Sequence, residues 1–195
     1  MKESTTFVTL LLMLFTTLIT PQTAKAQMGP RTICYITIEG QSQGLIKGEV
    51  RRKGMDNKIA GFGFSFSEMS PRDLNSGMAS GHRVHTPIKI TKGIDIASPK
   101  LLQALVSNET LKTVTLEFWG PSQMTASGVG SEVKYYTVKL TNASITAFNQ
   151  TDGTFLPEND QKTEKALEEL TLTYQKIEIT SAEGSNSASA MYDWK

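Results

Sequence analysis

Ser67–Lys92, SEMSPRDLNSGMASGHRVHTPIKITK, decides the fold class. It opens and closes in a strand pattern and cannot be strand between. Pro71, Gly77, Gly81 and Pro87 interrupt the middle, with Asp73, Asn75, Ser76 and Ser80 around them. Proline lacks a backbone donor and glycine tolerates positive φ, so no regular ladder runs through. The stretch reads as a long loop held at both ends by a sheet. Loops of that length inside a domain are usually functional or disordered, and this one carries Arg72, Asp73, His82, Arg83 and His85. Upstream, Ile59–Met69 places Phe62, Phe64 and Phe66 at spacing two, an aromatic core face. Gly61 and Gly63 between them mark a bulge or a close backbone approach. Downstream, Ile88–Thr91 alternates as a short strand.

Strand patterns continue outward in both directions. Cys34, Ile36 and Ile38 share one face of Ile33–Glu39, with Cys34 expected as a small buried hydrophobe. Val114, Leu116 and Phe118 alternate, as do Tyr136, Val138 and Leu140. Leu170, Leu172 and Tyr174 give way to Ile177 and Ile179, a change of phase across Gln175-Lys176 that predicts a β-bulge. One helix stands out. Ser98 is placed as its N-cap and Pro99 at its first helical position; Leu101, Leu102, Leu105 and Val106 form its apolar stripe. Many short strands, one helix and no βαβ alternation predict an all-β sandwich or barrel. Ser181–Lys195 reads as a polar C-terminal tail, mobile over its Ser/Ala-rich part.

The chain has 195 residues and a formal net charge of +1, enough length for one domain with a sizeable core. Residues 1–26 carry Lys2, Lys25 and Glu3; without them the net charge is zero. Neither nucleic acid nor an anionic membrane is an expected partner. The apolar run Phe7–Ile19 is short for a membrane span. With Lys2 before it and Ala24-Lys25-Ala26 after it, it reads as a signal peptide ending at residue 26. The alternative is that Met28 is the working start and residues 1–26 are an upstream extension. No stable membrane insertion is expected either way.

His82-x-x-His85 with Asp73 lacks the helical geometry that fixes metal ligands. There is no G-x-S-x-G elbow, P-loop or dinucleotide fingerprint. The residues point to binding or assembly, and no catalytic, cofactor-binding or metal-ligating residue is assigned.

Tyr35–Val50, Ser70–Asp73, Ser80–Asp95, Ser98–Leu105, Val114–Trp119, Tyr135–Ile145 and Leu172–Thr180 resemble, in that order, blocks of the Hcp family, the tube protein of the type VI secretion system. The resemblance runs from about Cys34 to Thr180, within an expected domain of residues 27–180. It implies a two-sheet β-barrel with the helix on one side, six such protomers closing into a ring, and rings stacking head to tail into a hollow tube. It implies as partners a contractile sheath, a VgrG-type spike and small effector proteins carried or chaperoned in the lumen. It also implies that the loop Ser70–Pro87 contributes to contacts between stacked rings, through Arg72, Asp73, His82, Arg83 and His85. Exposed pairs among such groups contribute roughly 0–1 kcal/mol each and weaken at high salt.

Family members normally lack a signal peptide, and MGPRTICYITIEG from Met28 resembles a family N-terminus. Two routes of secretion therefore stay open: through the signal peptide to the periplasm or beyond, or from the cytoplasm through the type VI apparatus. The alternative function is a secreted β-domain that binds host or carbohydrate surfaces without forming a tube. A hydrolase or toxin would need an extension larger than Ser181–Lys195.

Overall fold

The computed structural model describes residues 32–81, 84–121, 132–151, 166–183 and 186–193. The signal-peptide reading of residues 1–26 lies outside them. The strands are β1 (Cys34–Gly40), β2 (Gly44–Ile46), β3 (Ile59–Ser65), β4 (Glu68–Met69), β5 (Val84–His85), β6 (Ile88–Gly93), β7 (Leu111–Pro121), β8 (Glu132–Thr151), β9 (Leu167–Glu183) and β10 (Asn186–Asp193), with helix α1 (Ser98–Val106) between β6 and β7. The pairings among these strands are antiparallel throughout the described residues.

The ladder runs β9-β6-β3-β1-β7-β8, and β8 pairs back onto β9. Six strands thus close a barrel, the expected β-barrel with one short helix. Closure removes the exposed edges that an open sheet would leave. Its interior takes alternate residues of each strand: Cys34, Ile36 and Ile38 of β1, Ile88 and Ile90 of β6, Val114 and Leu116 of β7, Val138 and Leu140 of β8, Leu170 and Leu172 of β9. α1 packs on β8 and buries Leu101 and Ala104. Cys34 is fully buried, and burial pushes its thiol up to about 12.

The glycine-phenylalanine stretch departs from a single aromatic face. In the β3–β6 ladder Gly61 pairs with Lys92, Gly63 with Thr91 and Phe64 with Ile90, so the register shifts between Gly61 and Gly63. Phe62 is the extra residue of a bulge. Ile59 and Gly61 point inward before it, and Phe64 packs on the core after it, edge-on to Phe118 at 5.6 Å. Gly61 is also a close approach, since a Cβ there would lie 2.5 Å from Cys34 Sγ. Gly61→Ala is expected to cost about 1–3 kcal/mol through overpacking, and less in a Cys34→Ala background where that atom is gone. Urea denaturation of the four chains checks this; equal losses in the two backgrounds would contradict it.

The burial phase of β9 changes as the sequence indicates, from Leu170, Leu172 and Tyr174 to Ile177. Opposite Gln175 lies Asn142 of β8, at φ +50° and donating its side-chain amide to Gln175 Oε1 at 2.7 Å. The expected bulge is not at Gln175-Lys176, where the β8–β9 register holds from Thr141 opposite Lys176 to Ala143 opposite Tyr174; the register shifts instead between Ile145 and Ala147, opposite Leu172 and Thr171. Beyond this point β9 changes neighbours: β6 pairs with it as far as Leu172, and β10 takes over from Lys176.

The reading of residues 181–195 as a tail needs correction. β9 continues to Glu183, and Asn186–Asp193 returns along it as β10 in continuous register, from Asn186 opposite Glu183 to Asp193 opposite Lys176. Serine and alanine bury little, so composition suggested a tail. A hairpin ladder with an existing barrel strand supplies the backbone partners instead.

The turn between β1 and β2 is held from a distance by Glu109. Its carboxylate accepts from Ser42 N at 2.7 Å, Gln43 N at 2.9 Å and Gln43 Nε2 at 2.8 Å. These bonds, that from Gln43 N first, hold its pKa below the ordinary 4.5 against the opposing effect of desolvation. A depressed folded pKa contributes stability that is complete above the unfolded value and lost as pH falls through the folded one. Glu109→Gln should therefore lose less stability than the parent on acidification from about pH 5 to 3. Parallel slopes in urea titrations at those two pH values would contradict this.

Candidate assembly surfaces

The interrupted middle of the opening stretch is an ordered hairpin. Glu68 pairs with His85 and Met69 with Val84, forming a two-stranded sheet apart from the barrel. A bridge between Arg72 and Ala79 continues it outward. At the tip Asp73 N donates to Met78 O and Gly77 N to Asp73 O, at 2.9 and 2.8 Å. Gly77 and Gly81 take φ +69° and +82°, which glycine adopts without a Cβ penalty.

The five residues assigned to this loop divide. Asp73 is engaged inside the tip, where its Oδ1 accepts from Ser76 N, Ser76 Oγ and Asn75 N at 2.7, 2.8 and 3.1 Å. Those bonds, that from Ser76 N first, hold its pKa below the ordinary carboxylate value. His85 sits at the base with its side chain 5% exposed, Nδ1 2.9 Å from Glu68 Oε1. Its ring lies against Tyr192 of β10, with centroids 4.8 Å apart and planes at 31°. Arg72 is exposed on the hairpin. His82 and Arg83 lie outside the described residues.

The tip instead presents apolar groups. Leu74 is 99% exposed and Met78 70%, and Met69 and Val84 are also exposed. Single exposed apolar side chains are ordinary on a protein surface, but four on one hairpin make it a candidate contact surface. A second set of exposed apolar residues lies around α1: Leu102 and Val106 on the helix, Ile94 and Ile96 before it. The helical spacing placed Leu102 and Val106 in the stripe, but the inward side of α1 is Ser98, Leu101 and Ala104.

Ser98 is not the N-cap. Ala97 holds that position without a side-chain bond, and Pro99 falls in the first turn, one position further in than assigned. The Ser98 hydroxyl turns into the barrel end, donating to Glu168 Oε1 at 2.9 Å and accepting from Asp95 N at 3.0 Å. The reason is Lys92, which is fully buried in the β6 ladder opposite Glu168. Its ammonium lies 2.5 Å from Glu168 Oε1, 2.8 Å from Asp95 Oδ1, 2.8 Å from Gly93 O and 3.2 Å from Ser98 Oγ. A buried ammonium must find acceptors for its three N–H donors, and these four oxygens provide them. Asp95 Oδ1 also accepts from the N-cap Ala97 N at 2.9 Å, while Ser98 N donates to the Asp95 backbone carbonyl at 3.0 Å. The alternation Ile88, Ile90, Lys92 was the available sign that Lys92 points inward.

A cleft of about 320 Å³ is lined by Tyr35, Arg52, Trp119, Glu132 and Tyr135 among others. Three of these groups engage one another: Arg52 pairs with Glu132 at 2.6 Å, donates to Tyr35 Oη at 3.0 Å and lies over the Tyr35 ring. Among the described residues, no group of three or more His, Cys, Asp or Glu could hold a metal ion, and no helix is long and apolar enough to cross a membrane.

The sequence profile of the family described as "Type VI secretion system effector, Hcp" matches residues 35–180. The "Major exported protein" of Pseudomonas aeruginosa is 34% identical over 174 residues, covering 84% of this chain and 96% of that protein. Among solved structures, mutants of the Hcp1 protein of the E. coli EAEC 042 pathovar superpose with a TM-score of 0.68 at 27% identity, covering 85% of this chain and 100% of theirs. The secreted protein Hcp3 of Pseudomonas aeruginosa gives a TM-score of 0.62 at 30% identity, covering 83% and 99%.

Proposed function

The chain belongs to the Hcp family of type VI secretion proteins, and from that premise we propose that it is a non-catalytic structural subunit of the secretion tube. Protomers close into six-membered rings, and the rings stack head to tail through the hairpin at residues 66–87. The observation that carries this reading is Leu74, held 99% exposed on a turn whose own polar groups are bonded internally. A head-to-tail contact extends into a filament when its rotation does not close, and it needs two different faces on each subunit. The hairpin supplies one of them.

The loop's exposed chemistry modifies the expectation of an ionic contact. With Asp73 committed to the turn and His85 to the base, the stack rests on Leu74 and Met78. Stacking should then persist or strengthen in 1 M sodium sulfate, which favours apolar burial, whereas a contact made of exposed ion pairs would weaken. Light scattering of concentrated protein across salt concentration decides between them. Loss of the stacked species at high sulfate would return the contact to Arg72 and its neighbours.

The same reading includes export, a surrounding sheath, a VgrG-type spike and effectors carried in the lumen. Residues 1–26 are proposed as a signal peptide, with the chain from Gln27 as the mature form. N-terminal sequencing of the exported protein tests this, and a form beginning at Met28 would contradict it. For assembly, sedimentation velocity of residues 27–195 should give the mass of six chains. A monomer at every concentration would instead support the alternative of a secreted domain that binds host or carbohydrate surfaces.

A further inference from the structure

The β4–β5 sheet is two residues long on each side and is not hydrogen-bonded into the barrel. A hairpin that short is marginal by itself in water, so its direction depends on what its base touches. Three separate segments meet there. Glu68 and His85 come from the hairpin and are bonded to each other at 2.9 Å. Tyr192, from β10, lies against the His85 ring. Tyr174, from β9, is buried near Glu68; burial first and that carboxylate second push its hydroxyl up to about 12. Tyr192 is itself fixed by the β10–β9 ladder, opposite Ile177.

β10 otherwise contributes little to the core. Ser187, Ala188, Ser189 and Ala190 are small and exposed, whereas Tyr192 is packed against it. The strand that sequence composition marks as a tail therefore delivers one aromatic ring to the base of the hairpin.

We infer that Tyr192 is a positioning residue for assembly: the C-terminal strand β10 holds the hairpin at residues 66–87 in its stacking direction by seating Tyr192 on His85. The inference rests on the proposed role of the hairpin in stacking, and its test separates the two. In Tyr192→Ala, backbone amides of residues 69–81 should exchange about tenfold faster, the factor carried by a stacking contact of this kind, while those of β1 and β7 are unchanged. Tyr192→Phe keeps the ring and should exchange more slowly at these residues than Tyr192→Ala. His85→Ala removes the Tyr192 contact and also the bond to Glu68, so it should be at least as fast as Tyr192→Ala, and the double variant should be no faster than His85→Ala, since the shared contact is lost only once.

Stacking, read by sedimentation, should weaken in both alanine variants and return with phenylalanine. Unchanged exchange at residues 69–81 in both alanine variants, or additive effects in the double variant, would overturn the inference. Should Tyr192→Ala melt β10 outright, seen as full exchange across Ser187–Tyr192, His85→Ala made in a Glu68→Ala background, where the Glu68 bond is already gone, carries the test. Faster loop exchange with undiminished stacking would leave the positioning contact standing and overturn the stacking role of the hairpin instead.

Discussion

Lys92→Met should lower the stability of the protomer by about 3–5 kcal/mol, the usual consequence of removing one partner of a buried ion pair. Lys92 and Glu168 are both 0% exposed and 2.5 Å apart. Without the ammonium, Glu168 and Asp95 would remain in the barrel end as two carboxylates, with Ser98 Oγ and the donors of Gln150 and Ala97 as their remaining partners. One of the acids must then take up a proton or admit water, and either response loosens the junction of β6, β9 and α1. In thermal terms a loss of this size is roughly 10 °C for a domain of this length. The double change Lys92→Met/Glu168→Leu should recover most of the loss, because it removes the buried charge along with its partner. Urea denaturation of the single and double variants checks both statements. A single-variant loss under about 1 kcal/mol would mean that the pair is weakly coupled to folding.

Replacing Leu74–Ser80 by a short Gly/Ser linker should leave the barrel and the ring intact and remove stacking. The segment contains the Asp73-bonded tip and both exposed anchors, Leu74 and Met78. None of its side chains belongs to the core cluster, so the cost to folding is expected within about 0.5 kcal/mol, as for surface changes. Burying one leucine contributes about 1.5–3 kcal/mol. A ring presents the contact once per protomer, so its loss should lower stacking affinity by several orders of magnitude. Leu74→Asp, which leaves the turn bonds of Asp73 in place, should reproduce most of the effect. Sedimentation and electron microscopy of parent and variant across concentration read the outcome. Stacks of unaltered length would show that the hairpin is not the junction, and dissociation into monomers would place it inside the ring.

Much of the barrel was legible in local patterns. Alternation at Cys34–Ile38, Ile88–Ile90, Val114–Phe118 and Val138–Leu140 assigns inward residues correctly, because period two follows from strand geometry alone. The glycines flanking Phe62 signalled the bulge, but not that it would divide the aromatic stripe; that depends on the register with β6. What stayed hidden is mostly long-range. Glu168 lies 76 residues from Lys92, and no local feature of either announces the other. That partnership takes Ser98 away from the helix cap. β10 was hidden because Ser187–Ala190 has the composition of a linker, and its pairing with β9 comes from a hairpin rather than from hydrophobicity. In the loop Ser70–Pro87 the sequence reading emphasised charged residues. Asp73 and His85 are engaged within the protomer, and beside Arg72 the exposed groups include Leu74 and Met78, which a solvated loop reading passes over.

The most direct test of the tube reading is single-particle electron microscopy of residues 27–195 at the concentration where the chain begins to stack. The expected result is six-fold rings joined end to end, with density for residues 66–87 crossing from each ring onto the next and the Leu74 side chain buried at the boundary. Isolated protomers, or rings that stack while these residues remain in solvent, would contradict it.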